Sequence, residues 1–155
     1  MVISADTSFL FSLYGNDVNT PAAVAWCAQN NRVIWISPLN HFELINALRS
    51  AECRKSLNTG EAARYEQLFN NAIIDGRLVE KVCNLAAVLA EATRLSAAHT
   101  LTGGHRGFDI LHVAAARIIG ATHFLTFDAN QKKLAENAGF VVPIRHESPR
   151  HRSCG

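Results

Sequence analysis

The chain has 155 residues, of which 48% are hydrophobic and 18% charged, and its formal net charge is +2 at pH 7. This composition indicates one compact domain with a sizeable core and excludes intrinsic disorder, because disordered chains are poor in apolar residues. So small a net charge does not by itself indicate a nucleic-acid partner, and any such binding would depend on local basic patches.

Neither secretion nor membrane insertion is predicted. The N-terminal run MVISADTSFLF lacks a basic region and contains Asp6, which argues against a signal peptide. No stretch approaches the roughly 18 uncharged apolar residues that would span a membrane. The cysteines are scattered without a C-x-x-C pair, so a zinc knuckle and a redox motif are excluded. We therefore expect a cytoplasmic protein whose cysteines are small core residues.

Short apolar strands alternate with long helical segments along the chain. Strands are predicted at residues 2–5, 32–37, 78–82, 122–127 and 140–144. Helices are predicted directly after Asp6 and at residues 21–29, 40–54, 59–74, 85–98, 109–119 and 131–138. Because strands joined by long helical crossovers form parallel sheets, we predict an α/β fold, a three-layer αβα sandwich with a mostly parallel, five-stranded sheet. Residues 1–145 would form the single domain, and residues 146–155 a basic, flexible tail.

Four acidic residues lie next to the carboxyl ends of predicted strands. Asp6 directly follows the first strand, and Glu43 lies in the first turn of the helix after the second. Asp109 begins a helix, and Asp128 follows the strand after it; the tight link at Gly120 makes these two elements antiparallel. All four side chains are therefore predicted at one edge of the sheet, which is where open α/β sheets bind ligands.

Four carboxylates at one edge predict a metal site. Crowded like charges are unfavourable unless they take up protons or bind a cation, and an all-oxygen ligand set favours Mg²⁺ or Mn²⁺. Each acid alone also has a purely structural explanation, as a helix cap or as a partner of a helix dipole. Their convergence favours the metal site because other acids fall on predicted solvent faces, namely Glu52, Glu61, Glu66, Glu91 and Glu136.

Four segments together resemble the motifs of PIN-domain proteins. They are ADTSFL at 5–10, FELINAL at 42–48, GFDILHVAAA at 107–116 and LTFDANQKKLA at 125–135, in the family's order. The small single-domain size resembles VapC-type toxin ribonucleases. This resemblance implies an RNA-cleaving site that depends on Mg²⁺ or Mn²⁺, a homodimer, and a VapB-type antitoxin that holds the enzyme inactive. It assigns catalytic and metal-binding roles to Asp6, Glu43, Asp109 and Asp128, and supporting hydroxyl roles to Ser8 and Thr126.

Substrate contacts are expected from basic residues near this edge. The segment HTLTGGHRG at 99–107 departs from the commonest family pattern, and its three glycines predict a mobile loop. Within it, His105 and Arg106 are candidates for phosphate contact. The candidates for lining the approach to the site are Arg49, Arg54, Lys55, Lys132 and Lys133. His112 lies one helical turn after Asp109; it either reaches the site or, as we favour, is buried or faces a second subunit.

Two other functional classes remain open. A phosphatase or receiver-like domain also places aspartates around Mg²⁺, but no D-x-D pair follows the first strand. A PIN-like module that binds RNA or protein without cutting is disfavoured because all four acids are retained. Nucleotide-binding glycine motifs are absent from the sequence. The sequence leaves open which RNA is cut, whether one or two ions act, and whether an antitoxin exists.

Overall fold

Four short parallel strands form the central sheet of the computed structural model, which describes residues 1–144. The strands are β1 (Ile3–Ala5), β2 (Ile34–Ile36), β3 (Leu78–Glu80) and β4 (His123–Leu125), and their order across the sheet is β3-β2-β1-β4. The helices are α1 (Thr7–Tyr14), α2 (Thr20–Asn30), α3 (Pro38–Cys53), α4 (Glu61–Ile74), α5 (Leu85–Gly103), α6 (Gly107–Ile118) and α7 (Ala129–Asn137). The predicted tail lies outside the described residues.

The sheet contains four strands rather than the five that we predicted. Each of the four lies inside a predicted strand, but residues 140–144 form only one isolated bridge, in which Val141 pairs with His123. Val141 accepts a hydrogen bond from the amide of Phe124 at 3.0 Å and donates one to the carbonyl of Thr122 at 3.1 Å. The next donor in a parallel ladder would come from Pro143, which has no amide hydrogen, so the pairing stops there.

The two faces of the sheet carry separate apolar clusters, which confirms the three-layer α/β architecture. Phe124 packs in one cluster with α5, α6 and α7, whereas its neighbour Leu125 packs in the other with α1, α3 and α4. Successive side chains of a strand point to opposite faces, so β4 contributes to both clusters. This arrangement leaves the carboxyl edge of the sheet free to form a site.

Helix boundaries near that edge differ from the prediction: α3, α6 and α7 each begin two residues earlier than predicted, and α5 ends later. Helix α3 begins at Pro38, because Ser37 and Asn40 form a capping box in which the Asn40 side chain accepts the Ser37 amide at 2.8 Å. Helix α5 continues through Gly103 and ends at Gly104, which adopts the left-handed conformation of a helix cap. The segment predicted as a loop at 99–107 therefore contains only three non-helical residues, 104–106.

The cysteines do not all lie in the core as predicted. Cys53 is exposed, and Cys27 and Cys83 are half-buried free thiols. Cys154 lies outside the described residues. Among residues 1–144, no helix combines the length and the hydropathy that a membrane span requires.

Candidate active site

A cleft of about 410 Å³ lies at the carboxyl edge of β1 and β4, and all four predicted acids line it. They come from four separate segments: Asp6 follows β1, Glu43 lies in α3, Asp109 lies in the first turn of α6, and Asp128 precedes α7. The structure thus brings these four residues together, as the edge argument predicts. Their catalytic role remains a prediction.

Asp6 is the most buried of these acids, with 5% of its surface exposed. Its Oδ1 accepts hydrogen bonds from the Phe9 amide at 3.0 Å and the Ser8 hydroxyl at 2.7 Å, so Asp6 also caps α1. Its Oδ2 accepts the Thr126 hydroxyl at 2.6 Å. Burial raises its pKa to about 6, and the hydrogen bonds from Thr126, Phe9 and Ser8 oppose that rise only in part. A cation beside Asp6 would stabilise the ionised form.

Ser8 and Thr126, the two predicted supporting hydroxyls, join the ends of β1 and β4. Their oxygens lie 3.2 Å apart, and each contacts Asp6. Ser8 also accepts the amide of Phe127 at 3.0 Å, and Thr126 accepts the amide of Asp128 at 3.0 Å. These hydroxyls therefore fix both the oxygens of Asp6 and the backbone that carries Asp128.

Glu43 is held by His112, which is buried, as we favoured, and also contacts the site. Imidazole Nε2 contacts the Glu43 carboxylate, and Nδ1 lies 3.1 Å from the Asn40 side-chain nitrogen. The Asn40 side-chain nitrogen is a donor, because the Asn40 oxygen accepts the Ser37 amide. Nδ1 of His112 is therefore the acceptor of this hydrogen bond, and the ring proton is assigned to Nε2, which donates a hydrogen bond to Glu43. With 3% of its surface exposed, His112 does not face a second subunit.

The pKa of Glu43 is lowered, although its partial burial alone would raise it. The hydrogen bond from the His112 imidazole opposes that effect, Thr7 and the charge of Arg106 add to the lowering, and the net shift is downward. Glu43 is therefore ionised at neutral pH and presents a negative charge to the cleft.

Asp109 lies in the first turn of α6 and forms an ion pair with Arg106. The Arg106 Nε and Asp109 Oδ2 atoms are 3.1 Å apart, and 78% of the Arg106 side chain is exposed. The hydrogen bond and charge of Asp109 raise the pKa of Arg106, and the charges of Asp128 and Glu43 contribute. Arg106 thus lies among three acids of the cleft.

Asp128 caps α7 by accepting the Gln131 amide at 2.8 Å, and Gln131 in turn donates its side-chain amide to the carbonyl of Asp109 at 2.9 Å. Gln131 is buried and therefore links the starts of α6 and α7. This link fixes the spacing between the two segments that carry Asp109 and Asp128.

Two predicted substrate contacts do not line the cleft. Arg49 is paired with Glu66 at 3.0 Å and borders a different depression of the surface, so it does not line the cleft, and its contact with substrate stays a prediction. Arg49 lies about 240° around α3 from Glu43, so it is on the side of the helix that faces away from the cleft. His105 is buried in a neighbouring pocket, although Arg106, the next residue, does line the cleft.

Sequence reasoning missed several residues of the cleft, of which Asp17 is the most notable. This fifth acid lies between α1 and α2, where it accepts the Ser12 hydroxyl and the Asn19 amide, each at 2.8 Å. The Gly-Asn-Asp pattern there indicated only a turn. Arg54, one of the basic residues expected along the approach, does line the cleft from the end of α3.

The chemistry of the cleft fits a divalent cation. Its acids offer only oxygen ligands, and Arg106 already lies where positive charge is favoured. In residues 1–144, no group of three or more His, Cys, Asp or Glu side chains forms a ready-made metal site. Arg106 and His112 each already contact one carboxylate oxygen, Oδ2 of Asp109 and Oε2 of Glu43, so a bound ion would share these two carboxylates with them.

The fold and the cleft define an αβα protein with an acidic site at the carboxyl edge of a parallel sheet. The model of the PIN domain matches residues 3–137, and the chain therefore belongs to the PIN-domain family. No curated protein matched the chain.

Solved structures share this fold. VapC20 of Mycobacterium tuberculosis, described as a Sarcin-Ricin loop cleaving toxin, is 19% identical with a TM-score of 0.67, over 90% of this chain and 96% of that one. VapBC2 of Rickettsia felis, bound to a promoter DNA fragment, is 14% identical with a TM-score of 0.62, over 92% and 97%. FitAcB of Neisseria gonorrhoeae is 16% identical with a TM-score of 0.56, over 91% and 96%. At these identities the likeness extends to the fold alone.

Proposed function

We propose that this protein is a metal-dependent endoribonuclease and the toxin of a toxin–antitoxin pair. The observation that carries the proposal is the convergence of four acids from four segments on one cleft of a PIN domain. An RNA substrate is supported by the description of VapC20, which shares the fold, as a Sarcin-Ricin loop cleaving toxin.

In this proposal Asp6, Glu43, Asp109 and Asp128 hold Mg²⁺ or Mn²⁺. The bound ion would supply an activated water and neutralise negative charge on the phosphodiester during cleavage. The chain itself fixes its ligands: Ser8 and Thr126 orient both oxygens of Asp6, and His112 orients Glu43. This preorganisation limits the loss of side-chain freedom when the ion and substrate bind.

The two arginines of the cleft, Arg54 and Arg106, are placed to bind substrate phosphate. Both line the cleft together with the acids, and guanidinium groups match the geometry of phosphate oxygens. Arg106 pairs with Asp109 through Nε and is otherwise largely exposed, so its remaining N–H groups could contact the RNA phosphate, while Asp109 would hold the ion.

The partners are proposed from the same comparisons. Relatives in fold include VapBC2 and FitAcB, which supports a VapB-type antitoxin, and we further propose that the chain forms a homodimer. RNA cleavage under the control of an antitoxin implies action in the cytoplasm. We also propose residues 1–145 as the single domain.

A non-catalytic PIN-like module is the second candidate. This candidate is favoured because two of the acids already have partners within the protein: Arg106 pairs with Asp109, and His112 pairs with Glu43. Such a module would bind RNA or protein without a metal ion. The phosphatase or receiver-like alternative is not supported by the match to the PIN domain.

The decisive experiment measures cleavage of labelled RNA by the purified chain with Mn²⁺ or Mg²⁺ and with EDTA. We expect cleavage only with the ion, and we expect Asp6→Asn and Asp109→Asn each to reduce its rate by about 100-fold or more, because a lost ligand weakens the ion site. Asp75→Asn is the matched control, since Asp75 is exposed and pairs only with Arg77. Cleavage in EDTA would reject the mechanism, and full activity of both cleft variants would reject the site.

A further inference from the structure

A second pocket, of about 250 Å³, lies beside the acidic cleft. His105 lines this pocket while the next residue, Arg106, lines the cleft. At the start of α7, Asn130 lines the pocket, whereas the capping residue Asp128 lines the cleft. Since residues adjacent in the chain have Cα atoms only about 3.8 Å apart, the two cavities must be neighbours.

The two cavities differ in charge. Five acids line the cleft, whereas none of the described residues that line the pocket is acidic. Those residues instead carry hydrogen-bond donors or positive charge, and they include Thr102, His105, Asn130, Lys133 and Asn137. The pocket is also smaller than the roughly 300 Å³ at which small-molecule and cofactor sites begin. Its charge and its size therefore favour a small anion such as one phosphate group.

His105 leaves a hydrogen-bonding atom unused in this pocket. It is 7% exposed, and its Nδ1 has no hydrogen-bond partner among the described residues. Buried polar atoms are nearly always paired, because an unpaired one costs about 1–3 kcal/mol. Gly103 packs directly against the ring: a Cβ there would lie 2.3 Å from Nε2. The imidazole is thus held in place at the wall of the pocket, and its Nδ1 is left unpaired among the described residues.

We propose that this pocket binds a backbone phosphate of the RNA, next to the phosphate that is cut in the acidic cleft. The inference rests on the proposed ribonuclease function and assigns this pocket a second contact with the same strand. Lys133 supplies the positive charge, and His105 and Asn130 supply hydrogen bonds. Since the contact is to the backbone, it positions the strand without selecting its sequence.

Two neighbouring lysines of α7 provide the test. Lys133 lines the pocket, whereas Lys132 does not and lies 3.8 Å from Glu136. Binding of a fluorescein-labelled single-stranded RNA is measured by anisotropy in EDTA at several salt concentrations. We expect Lys133→Gln to weaken binding about threefold to tenfold and to reduce the slope of log affinity against log salt by about 0.7, whereas Lys132→Gln changes binding less than twofold. Equal effects of the two variants would overturn the proposal.

Two glycines provide a second test that leaves the charge unchanged. In Gly103→Ala the added methyl displaces the His105 ring, whereas Gly107→Ala meets no atom within 4 Å. Neither glycine has a positive φ, so alanine fits both backbones. We expect Gly103→Ala to weaken RNA binding about threefold or more and Gly107→Ala to leave it unchanged, with thermal denaturation showing that both variants fold. Unchanged binding by Gly103→Ala would count against the pocket.

Additional measurements separate this proposal from the proposed function. If RNA binding depends on Lys133 but no cleavage occurs with Mn²⁺ or Mg²⁺, the pocket stands and the ribonuclease proposal fails. If cleavage occurs but neither Lys133→Gln nor Gly103→Ala changes RNA binding, the pocket proposal fails and the ribonuclease proposal stands. Inorganic phosphate is titrated in parallel; phosphate binding that depends on Lys133, without any such dependence for RNA, would identify a free-anion site and overturn the RNA assignment.

Discussion

The two halves of the acidic cleft are held in different ways. In the inner half, Asp6 and Glu43 are fixed by buried hydroxyl and imidazole groups. In the outer half, Asp109 and Asp128 are held by the exposed Arg106 and by a helix cap. Buried hydrogen bonds are strong, whereas exposed ion pairs contribute little. Changes in the inner half should therefore affect folding as well as activity, and changes in the outer half should affect mainly the binding of ions and substrate.

The largest effect on stability is expected from Asp6 itself. Its folded pKa of about 6 lies above the ordinary value of 3.8, so the folded state binds a proton more tightly than the unfolded state. The metal-free protein should therefore lose stability as pH rises from about 4 to 6, by on the order of 3 kcal/mol at most. Urea denaturation in EDTA measures this loss.

Asp6→Asn should remove that pH dependence, because asparagine does not titrate in this range. Above pH 6, Mn²⁺ should raise the free energy of unfolding of the wild-type protein. The increase should be about 2.7 kcal/mol when the Mn²⁺ concentration is 100 times the dissociation constant. A wild-type stability that is flat between pH 4 and 6, or one that the ion does not change, would contradict this view of the inner half.

The next effect is expected from Thr126→Val. Thr126 is fully buried and donates to Asp6 at 2.6 Å, and valine keeps its shape while it removes the hydroxyl. We expect a loss of about 1–3 kcal/mol in the free energy of unfolding, since one oxygen of Asp6 loses its donor. Thr122→Val is the control, because Thr122 lies on the same strand segment but is exposed. Equal stability of the two variants would mean that Asp6 does not depend on Thr126.

A smaller effect, on activity, is expected from His112→Leu. Leucine fills the buried space but cannot donate to Glu43, so Glu43 is no longer oriented toward the cleft. We expect the rate of RNA cleavage to fall about tenfold, as is typical when a group that orients a metal ligand is lost. His123→Leu is the control, since the imidazole of His123 hydrogen-bonds to the neighbouring Thr122 and does not line the cleft. Wild-type cleavage by His112→Leu would limit this histidine to packing.

The smallest effect is expected in the outer half, from Arg106→Gln. Removal of the guanidinium frees Asp109 from its ion pair, so the dissociation constant for Mn²⁺ should fall about threefold, in keeping with the small energy of exposed pairs. Isothermal titration measures this constant, and Arg77→Gln is the control because its pair with Asp75 lies elsewhere. Weaker Mn²⁺ binding by Arg106→Gln would show that Arg106 supports the ion site rather than competing with it.

The sequence alone determined the architecture and the position of the acids. Short apolar strands with long helical crossovers allow little but a parallel sheet, and the carboxyl ends of its strands share one edge. Asp6, Glu43, Asp109 and Asp128 each lie within a few residues of such an end, so local spacing was enough to bring them to one cleft. Of the five predicted strands, the fifth alone is not formed, because the missing amide hydrogen of Pro143 stops the pairing.

Tertiary structure alone decided what each acid contacts. His112 and Glu43 are 69 positions apart, and Thr126 and Asp6 are 120 apart, so neither contact has a local pattern in the sequence. The same holds for His105 and Arg106, which are adjacent in the chain but enter two cavities of opposite character. The direction of a side chain depends on the packing around it, and hydrophobic patterning does not encode that direction.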